Sequence, residues 1–353
     1  MPLLARSVQT PLHIEVRRGA VADLGKILAD GRISSGGDVA VVVGPGLGEQ
    51  IVELLRPSLT SAEIFVTGGG TLDAALELAG KLRARHFDAV VGIGGGKTVD
   101  TAKYAASRWG LPMVSVATSL ANDGIASPVA SLINDGIKGS YGVHIPFGVV
   151  VDLDFVDNGP DRVNRAGIGD VVSNISALAD WELAREVRGE QVDGLAASLS
   201  RMGAEAILSM PGDMTDDAFV TTLAESLISS GLAMAVAGTS IPCSGGCHEI
   251  MHATDSLYPE TASHGELAGL GALFCTFLRG DERRFKQMSD CLARHQLPRT
   301  PSDVGLDADQ FVRIVEFAPR TRPDRYTILE HLAMTPDEVR RKLAEYDDAV
   351  AAH

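Results

Sequence analysis

The feature that most constrains this chain is a glycine-rich junction at residues 88–105, DAVVGIGGGKTVDTAKYA. An apolar run suited to a buried strand meets glycines at 92, 94, 95 and 96, and a helical pattern follows over 98–108. A strand, a glycine turn and a helix start, in that order, let backbone N–H groups approach an anion, and the helix N-terminus adds partial positive charge. The spacing fits neither common fingerprint. A P-loop would need glycine where Val91 stands, and a dinucleotide pattern built on Gly92 and Gly94 would need glycine where Lys97 stands. A tight turn alone would explain a lone glycine cluster equally well. The flanking strand and helix favour a cradle for a nucleotide diphosphate.

The surroundings repeat the same alternation. Short apolar runs at 39–43 (VAVVV), 62–66 (AEIFV), 89–91, 112–116 (PMVSV) and 149–152 are separated by helical patterns, the clearest over 72–85. Turn glycines stand at Gly44, Gly46 and 68–70. Strands that are apolar throughout are covered on both faces, so a parallel sheet of βαβ units is expected. From about residue 161 helical patterns dominate: 170–187, 191–210, 217–237, 266–279, 307–317 and 336–351. The turn-rich stretch 154–161 (DFVDNGPD) is the natural linker. A chain of 353 residues has room for two cores. The expectation is an α/β nucleotide-binding domain over 1–157, an all-α domain over 158–353, and a cleft between them.

Charge and cysteine content narrow the partners. Lys and Arg number 31 against 46 Asp and Glu, a net −15, which repels nucleic-acid backbones and anionic membrane surfaces without forbidding a small anion in a local pocket. Cys243, Cys247, Cys275 and Cys291 show no CxxC pairing, so a reducing compartment is expected rather than a disulfide framework. The first residues, MPLLARSVQTPLHIEVRRG, hold no apolar leader core, and no apolar run approaches the roughly 20 residues of a membrane helix. These signs point to a soluble cytoplasmic enzyme with no membrane insertion and no nucleic-acid partner.

The second half holds the chemistry. His248 and His252 are four apart and share a helix face, while His264 follows a turn near Pro259 and opens another helical pattern. Two imidazoles and a carboxylate with one position open make a catalytic metal set. Surface or core histidines at this spacing are the plainer reading. Residues 248–252, HEIMH, also match the zinc-protease string HExxH, although such a protease has no need of a dinucleotide-type half. Asp170, after Gly167-Ile168-Gly169, is the candidate carboxylate, although an ordinary N-cap of a helix starting there is the plainer reading.

Six motifs in one order resemble the glycerol-1-phosphate dehydrogenase family: GIGGGKTVDTAKYAA, SVATSLANDGIASPVASL (115–132), AGIGDVVSNISALADWELA (166–184), SGGCHEIMHATD (244–255), HGELAGLG (264–271) and RYTILEHL (325–332). That family is grouped with glycerol dehydrogenase, iron-containing alcohol dehydrogenases and dehydroquinate synthase, and the resemblance runs from about residue 39 to the C-terminal helices. It implies that Gly94, Gly95, Gly96, Lys97 and Thr98 form the diphosphate loop for NAD or NADP, with Thr118, Ser119, Ala121 and Ser127 as further cofactor contacts. It implies that Asp170, His248 and His264 hold one divalent metal, for which zinc suits the donors and nickel or iron are compatible. Asp123 and His252 would touch a polyol or polyol phosphate, and Glu249 would not act as a protease base. The implied reaction is reduction of dihydroxyacetone phosphate to sn-glycerol 1-phosphate, a step of phospholipid metabolism, in a homodimer or a multiple of dimers.

Departures from the family pattern bear on the substrate. Where the family writes S-R-P-x-S-G-S-E-H, this chain has Ser240-Ile241-Pro242-Cys243-Ser244-Gly245-Gly246-Cys247-His248, and Asn122 stands where histidine is common. Isoleucine offers none of the bidentate anion binding of an arginine. Lys138, Arg320, Arg322 and Arg325 are the cations available to replace it. Cys247 reads as a small buried filler, with a fourth metal ligand or a reactive thiol as alternatives. Two other activities stay open: a dehydrogenase of an unphosphorylated polyol or cyclitol, and a dehydroquinate synthase-like lyase that uses NAD transiently.

Overall fold

The computed structural model describes residues 8–45, 47–55 and 62–353; Gly46 and the first seven residues, which entered the turn and leader readings, lie outside them. The chain divides into two compact units, Met1–Leu120 with Gly124–Pro160, and Ala121–Asp123 with Asp161–His353.

The first unit holds strands β1 (His13–Arg17), β2 (Asp38–Val43), β3 (Ala62–Val66), β4 (Phe87–Gly94), β5 (Met113–Ala117), β6 (Val129–Asn134), β7 (Ile137–Gly142) and β8 (Gly148–Asp152). Six of them form one parallel sheet in the order β1-β8-β5-β4-β2-β3, and β6 and β7 pair as a separate antiparallel hairpin. Helices α1 (Leu24–Leu28), α2 (Leu47–Leu55), α3 (Leu72–Ala84), α4 (Gly96–Ser107) and α5 (Leu153–Asp157) complete the unit. Successive residues of β2 feed different cores. Val39, Val41 and Val43 pack with Ile51, Val91 and Ile93, while Ala40 and Val42 pack with Leu78, Val90 and Val99. A sheet buried on both faces has no polar side, which is why its strands read as unbroken apolar runs. The stretch expected as a linker contains the boundary between the units at Pro160 and also carries α5, because Asp152 caps a short helix by accepting from Asp154 N–H.

The second unit is helical: α6 (Asp161–Arg188), α7 (Gly194–Ser209), α8 (Asp217–Ala237), α9 (Gly246–Leu257), α10 (His264–Leu278), α11 (Glu282–Arg294), α12 (Ala308–Phe317), α13 (Ile328–Leu332) and α14 (Pro336–Ala351). By length and composition α8 would cross a membrane, although Glu225 and several hydroxyl residues interrupt its apolar run; 61% of that window is buried. It packs against α7 where a Cβ on Gly203 would sit 3.2 Å from Ser226.

Asp170 does not open a helix. It lies inside the 28-residue α6, and the glycines before it, read as a break, are where α10 crosses. A Cβ on Gly169 would overlap the Gly265 carbonyl oxygen, a Cβ on Gly265 would overlap the Ala166 carbonyl oxygen, and a Cβ on Gly269 would lie 3.0 Å from Gly169 Cα. Glycine weakens an exposed helix by roughly 1 kcal/mol. Here it lets two backbones touch. On another side of α10, a Cβ on Gly271 would lie 2.6 Å from the Cys247 carbonyl oxygen, so α9 is held equally close.

Buried polar groups fix α9 in rotation. Asp180 of α6 accepts from the backbone N–H of Gly246 (2.8 Å) and Ile328 (2.8 Å) and from the Arg279 guanidinium. Glu249 is fully buried, and that burial, with the Glu330 charge nearby, raises its carboxyl from the ordinary 4.5 to about 9. Thr327 Oγ1 lies 3.0 Å from Glu249 Oε2 and 2.6 Å from Glu330 Oε2. One hydroxyl has one proton to give, so with Glu330 accepting it, protonated Glu249 supplies the other bond.

Two outcomes follow. Gly265→Ala must push α10 off α6, and overpacking of this kind costs about 1–3 kcal/mol or more; the melting temperature should fall by several degrees, and an unchanged melt would refute the tight crossing. Native Glu249 keeps a proton that the unfolded chain releases near its ordinary value, so its contribution to stability is complete in acid and is lost as pH rises through about 9. Glu249→Gln cannot ionise, so its melting temperature should overtake wild type between pH 5 and pH 9; parallel curves would contradict the protonated carboxyl.

Candidate functional site

Three helices of the second unit converge on one point. Asp170 comes from α6, His248 from the first turn of α9, and His264 is the first residue of α10, directly before the glycine that sets the crossing. Nε2 of His264 lies 3.3 Å and Nε2 of His248 3.6 Å from Asp170 Oδ1, and one ligand atom from each of the three lies within 4.8 Å of the others. Burial opposes the charge on Asp170, but His248 and His264 outweigh it and hold the carboxyl well below the usual range. The donor set fits a divalent metal. Two ligand atoms about 2.1 Å from a tetrahedral ion stand roughly 3.4 Å apart, close to both observed separations, which are longer than good hydrogen bonds. Asp170 Oδ2 is engaged separately, accepting from Asp123 N–H at 2.9 Å.

Cys247 is not among the three. Its fully buried Sγ lies 3.4 Å from His248 Nδ1, on the ring atom away from Asp170, so the thiol orients the imidazole from behind. Glu249, the protease-type glutamate, is buried against Thr327 and carries a proton, which removes it from base chemistry at the site.

His252 lies one helical turn beyond His248. Arg322 Nη2 is 2.8 Å from its Nε2. A guanidinium only donates, so Nε2 accepts and the neutral ring carries its proton on Nδ1. Ile241 packs with the apolar cluster of Leu178, Trp181, Ala196 and Ala197. The bond from Arg322 to His252 and the bracing of His248 by Cys247 had no sequence signal beyond the residue types.

In the first unit, β4 ends at Gly94 and α4 starts at Gly96, with Gly95 as an N-cap that makes no side-chain capping bond. Gly94 has φ of 155°, and a Cβ there would lie 2.9 Å from Thr98. Two glycines that the fingerprint search passed over complete the arrangement. A Cβ on Gly44 would lie 2.7 Å from Thr98 Oγ1, and one on Gly69 2.9 Å from the Lys97 carbonyl. These glycines follow the C-terminal ends of β2, β3 and β4, where the strand order reverses and parallel sheets take their ligands. Thr118 N–H donates to the Gly94 carbonyl at 3.1 Å, and Ser119 Oγ is 3.4 Å from a Cβ built on Gly95, so both border the loop. Ser127 is fixed indirectly: buried Lys103 Nζ donates to the carbonyls of Gly124 (2.7 Å), Ser127 (3.2 Å) and Val129 (2.5 Å). Ala121 falls in the second unit, its carbonyl 3.2 Å from a Cβ on Gly265.

A family model described as iron-containing alcohol dehydrogenase matches residues 15–160. The chain is 34% identical over 345 residues to the glycerol-1-phosphate dehydrogenase, NAD(P)+, of Methanothermobacter thermautotrophicus, covering 95% of this chain and 97% of that one. It is 35% identical over 343 residues to the corresponding enzyme of Hyperthermus butylicus, covering 95% and 96%. In fold it is similar to a solved structure titled a probable glycerol dehydrogenase from Sinorhizobium meliloti, with a TM-score of 0.80, 22% identity, and 99% and 100% of the two chains covered. Identity of this order, sustained along almost the whole of both chains, makes this protein a member of the glycerol-1-phosphate dehydrogenase family of NAD(P)-dependent oxidoreductases.

Proposed function

We propose that this chain reduces dihydroxyacetone phosphate to sn-glycerol 1-phosphate with NADH or NADPH, using a divalent ion, zinc by its donor set, held by Asp170, His248 and His264. The observation that carries this reading is the convergence of one buried carboxylate and two imidazoles from three helices within 4.8 Å, in a chain of that family. The first unit then serves as the dinucleotide-binding domain and the second as the metal and substrate domain.

A divalent ion bound there supplies Lewis-acid polarisation of the substrate oxygen. The nicotinamide supplies the hydride. The rest falls to the chain. Backbone amides at the start of α4 receive the diphosphate, and Gly44, Gly69 and Gly94 keep side chains out of its way. Lys97, Thr98, Thr118, Ser119, Ala121 and Ser127 border the cofactor. Asp123, whose N–H is tied to Asp170, stands beside the metal ligands and accepts a substrate hydroxyl. His252 offers Nδ1–H as a donor, because Arg322 occupies its other nitrogen. Ile241, in place of the family's arginine, supports a second reading in which the polyol is not phosphorylated.

Dihydroxyacetone phosphate should drive stoichiometric oxidation of NADH or NADPH, and a chelator should abolish it until metal is restored. Substrate loss without net cofactor oxidation would instead indicate synthase-type chemistry. Removing an outer partner of a metal-bound histidine typically weakens metal affinity about 10–100-fold. Cys247→Ala should do this in a competition titration while leaving NADPH affinity unchanged; wild-type metal affinity would make Cys247 a filler.

A further inference from the structure

A phosphorylated substrate carries a charge of about −1.5 to −2 near neutral pH, and it must be held by a chain of net −15 in which isoleucine stands at the family's arginine. Ile241 is packed into an apolar cluster, so position 241 contributes no charge. The four candidate cations separate clearly. Lys138, on β7, and Arg320 are both exposed. Arg325 braces the segment leading into α9, donating to the Ser244 carbonyl and, at 2.7 Å, to Ser240 Oγ. Arg322 remains. It is half-buried, follows the short helical turn Ala318–Thr321, and has Nη2 2.8 Å from Nε2 of His252.

We propose that Arg322 recognises the substrate phosphate, in the place that Ile241 leaves without charge; this rests on the dihydroxyacetone phosphate reading above. His248 and His252 stand four residues apart on α9, about 6 Å along its axis, and a three-carbon keto phosphate is long enough to bridge that step. With its carbonyl at the centre formed by Asp170, His248 and His264, its phosphate reaches the guanidinium seated on His252. A guanidinium has five N–H donors in a planar fork that matches phosphate oxygens. The local charge favours an anion. Burial lowers the pKa of Arg322, and burial together with the Arg322 charge lowers that of Arg325, so a second cation stands close enough to Arg322 to feel its charge. Phosphate between or beside them relieves that repulsion. Arg322 thus acts twice, fixing the proton of His252 on Nδ1 and selecting a phosphorylated ketone over a neutral one.

The test compares the metal-loaded wild type with Arg322→Leu and Arg322→Lys on dihydroxyacetone phosphate and on dihydroxyacetone, with inorganic phosphate added separately in thermal-shift titrations. The expected result is a drop of roughly 100-fold in the kcat/KM ratio of phosphorylated to unphosphorylated ketone for the leucine variant, the size of a lost charge-assisted contact. Lysine should recover part of it, and inorganic phosphate should protect wild type but not the leucine variant against unfolding. A purely structural role would depress both substrates together and leave the ratio intact, which overturns the assignment. A leucine variant that melts too low to assay leaves the lysine variant and the phosphate titration of wild type to decide; no phosphate protection of wild type would sink the proposal. Wild type that oxidises no cofactor with dihydroxyacetone phosphate overturns the parent reading, and with it this one, whereas active wild type with an unaltered ratio in the leucine variant overturns only the role of Arg322.

Discussion

The contact on which the second unit depends is the backbone-to-backbone crossing of α6 and α10. Gly169 and Gly265 face each other with no room for a Cβ on either, and the residues beside them in sequence are Asp170 and His264. The candidate metal carboxylate and one candidate imidazole are therefore neighbours of the closest approach, and their 3.3 Å separation follows from helix packing more than from side-chain reach. Interaxial distances between helices are usually 8–10 Å and are set by the residues at the contact. With glycine on both sides that spacing shrinks, and short side chains meet without stretching. Stability and site geometry are coupled here, since anything that widens the crossing also parts the candidate ligands.

The first unit solves a related problem with the same residue. Its candidate anion site is bordered by glycines from three separate strand ends, Gly44, Gly69 and Gly94, gathered around the first turn of α4. A fingerprint search looks for glycines spaced along one loop. This cradle distributes them over three, and strand order alone brings them together. Side chains enter as supports, above all Lys103, whose buried ammonium bonds to three carbonyls of the segment carrying Ser127. A fully buried ammonium is tolerated only when its donors are met, so that segment has little freedom to reposition independently.

Most of the architecture was legible because both units bury their elements in ways that leave periodic traces. Strand 62–66 and helices 217–237 and 336–351 fall where the pattern placed them. The errors have physical causes. Gly167 and Gly169 read as a helix break because glycine usually lowers helix stability, and nothing local reveals that another backbone lies against them. β1 and the β6–β7 hairpin left little trace: β1 alternates charge with apolar residues at a sheet edge, and β7 is mostly exposed. In the candidate site, the spacing of His248 and His252 gave a shared helix face. Their surroundings differ in what each ring touches, Cys247 in one case and Arg322 in the other. Those partners are one residue and seventy residues away in sequence.

The two departures from the family pattern around His248 have different consequences once their surroundings are known. Ile241 turns into an apolar cluster, so its substitution removes charge without disturbing the ligands. Cys247 touches a candidate ligand directly. A carboxylate behind a metal-bound imidazole draws on its N–H proton and makes the other nitrogen a stronger donor. A thiol is a weak hydrogen-bond partner and does less of this. Under the metal reading, His248 therefore gives less electron density to the ion than it would with a carboxylate behind it. The centre gives up some binding strength and keeps more positive charge facing the substrate oxygen. Burial disfavours the charge on Asp170, and His248 and His264 beside it keep the carboxyl ionised against that cost.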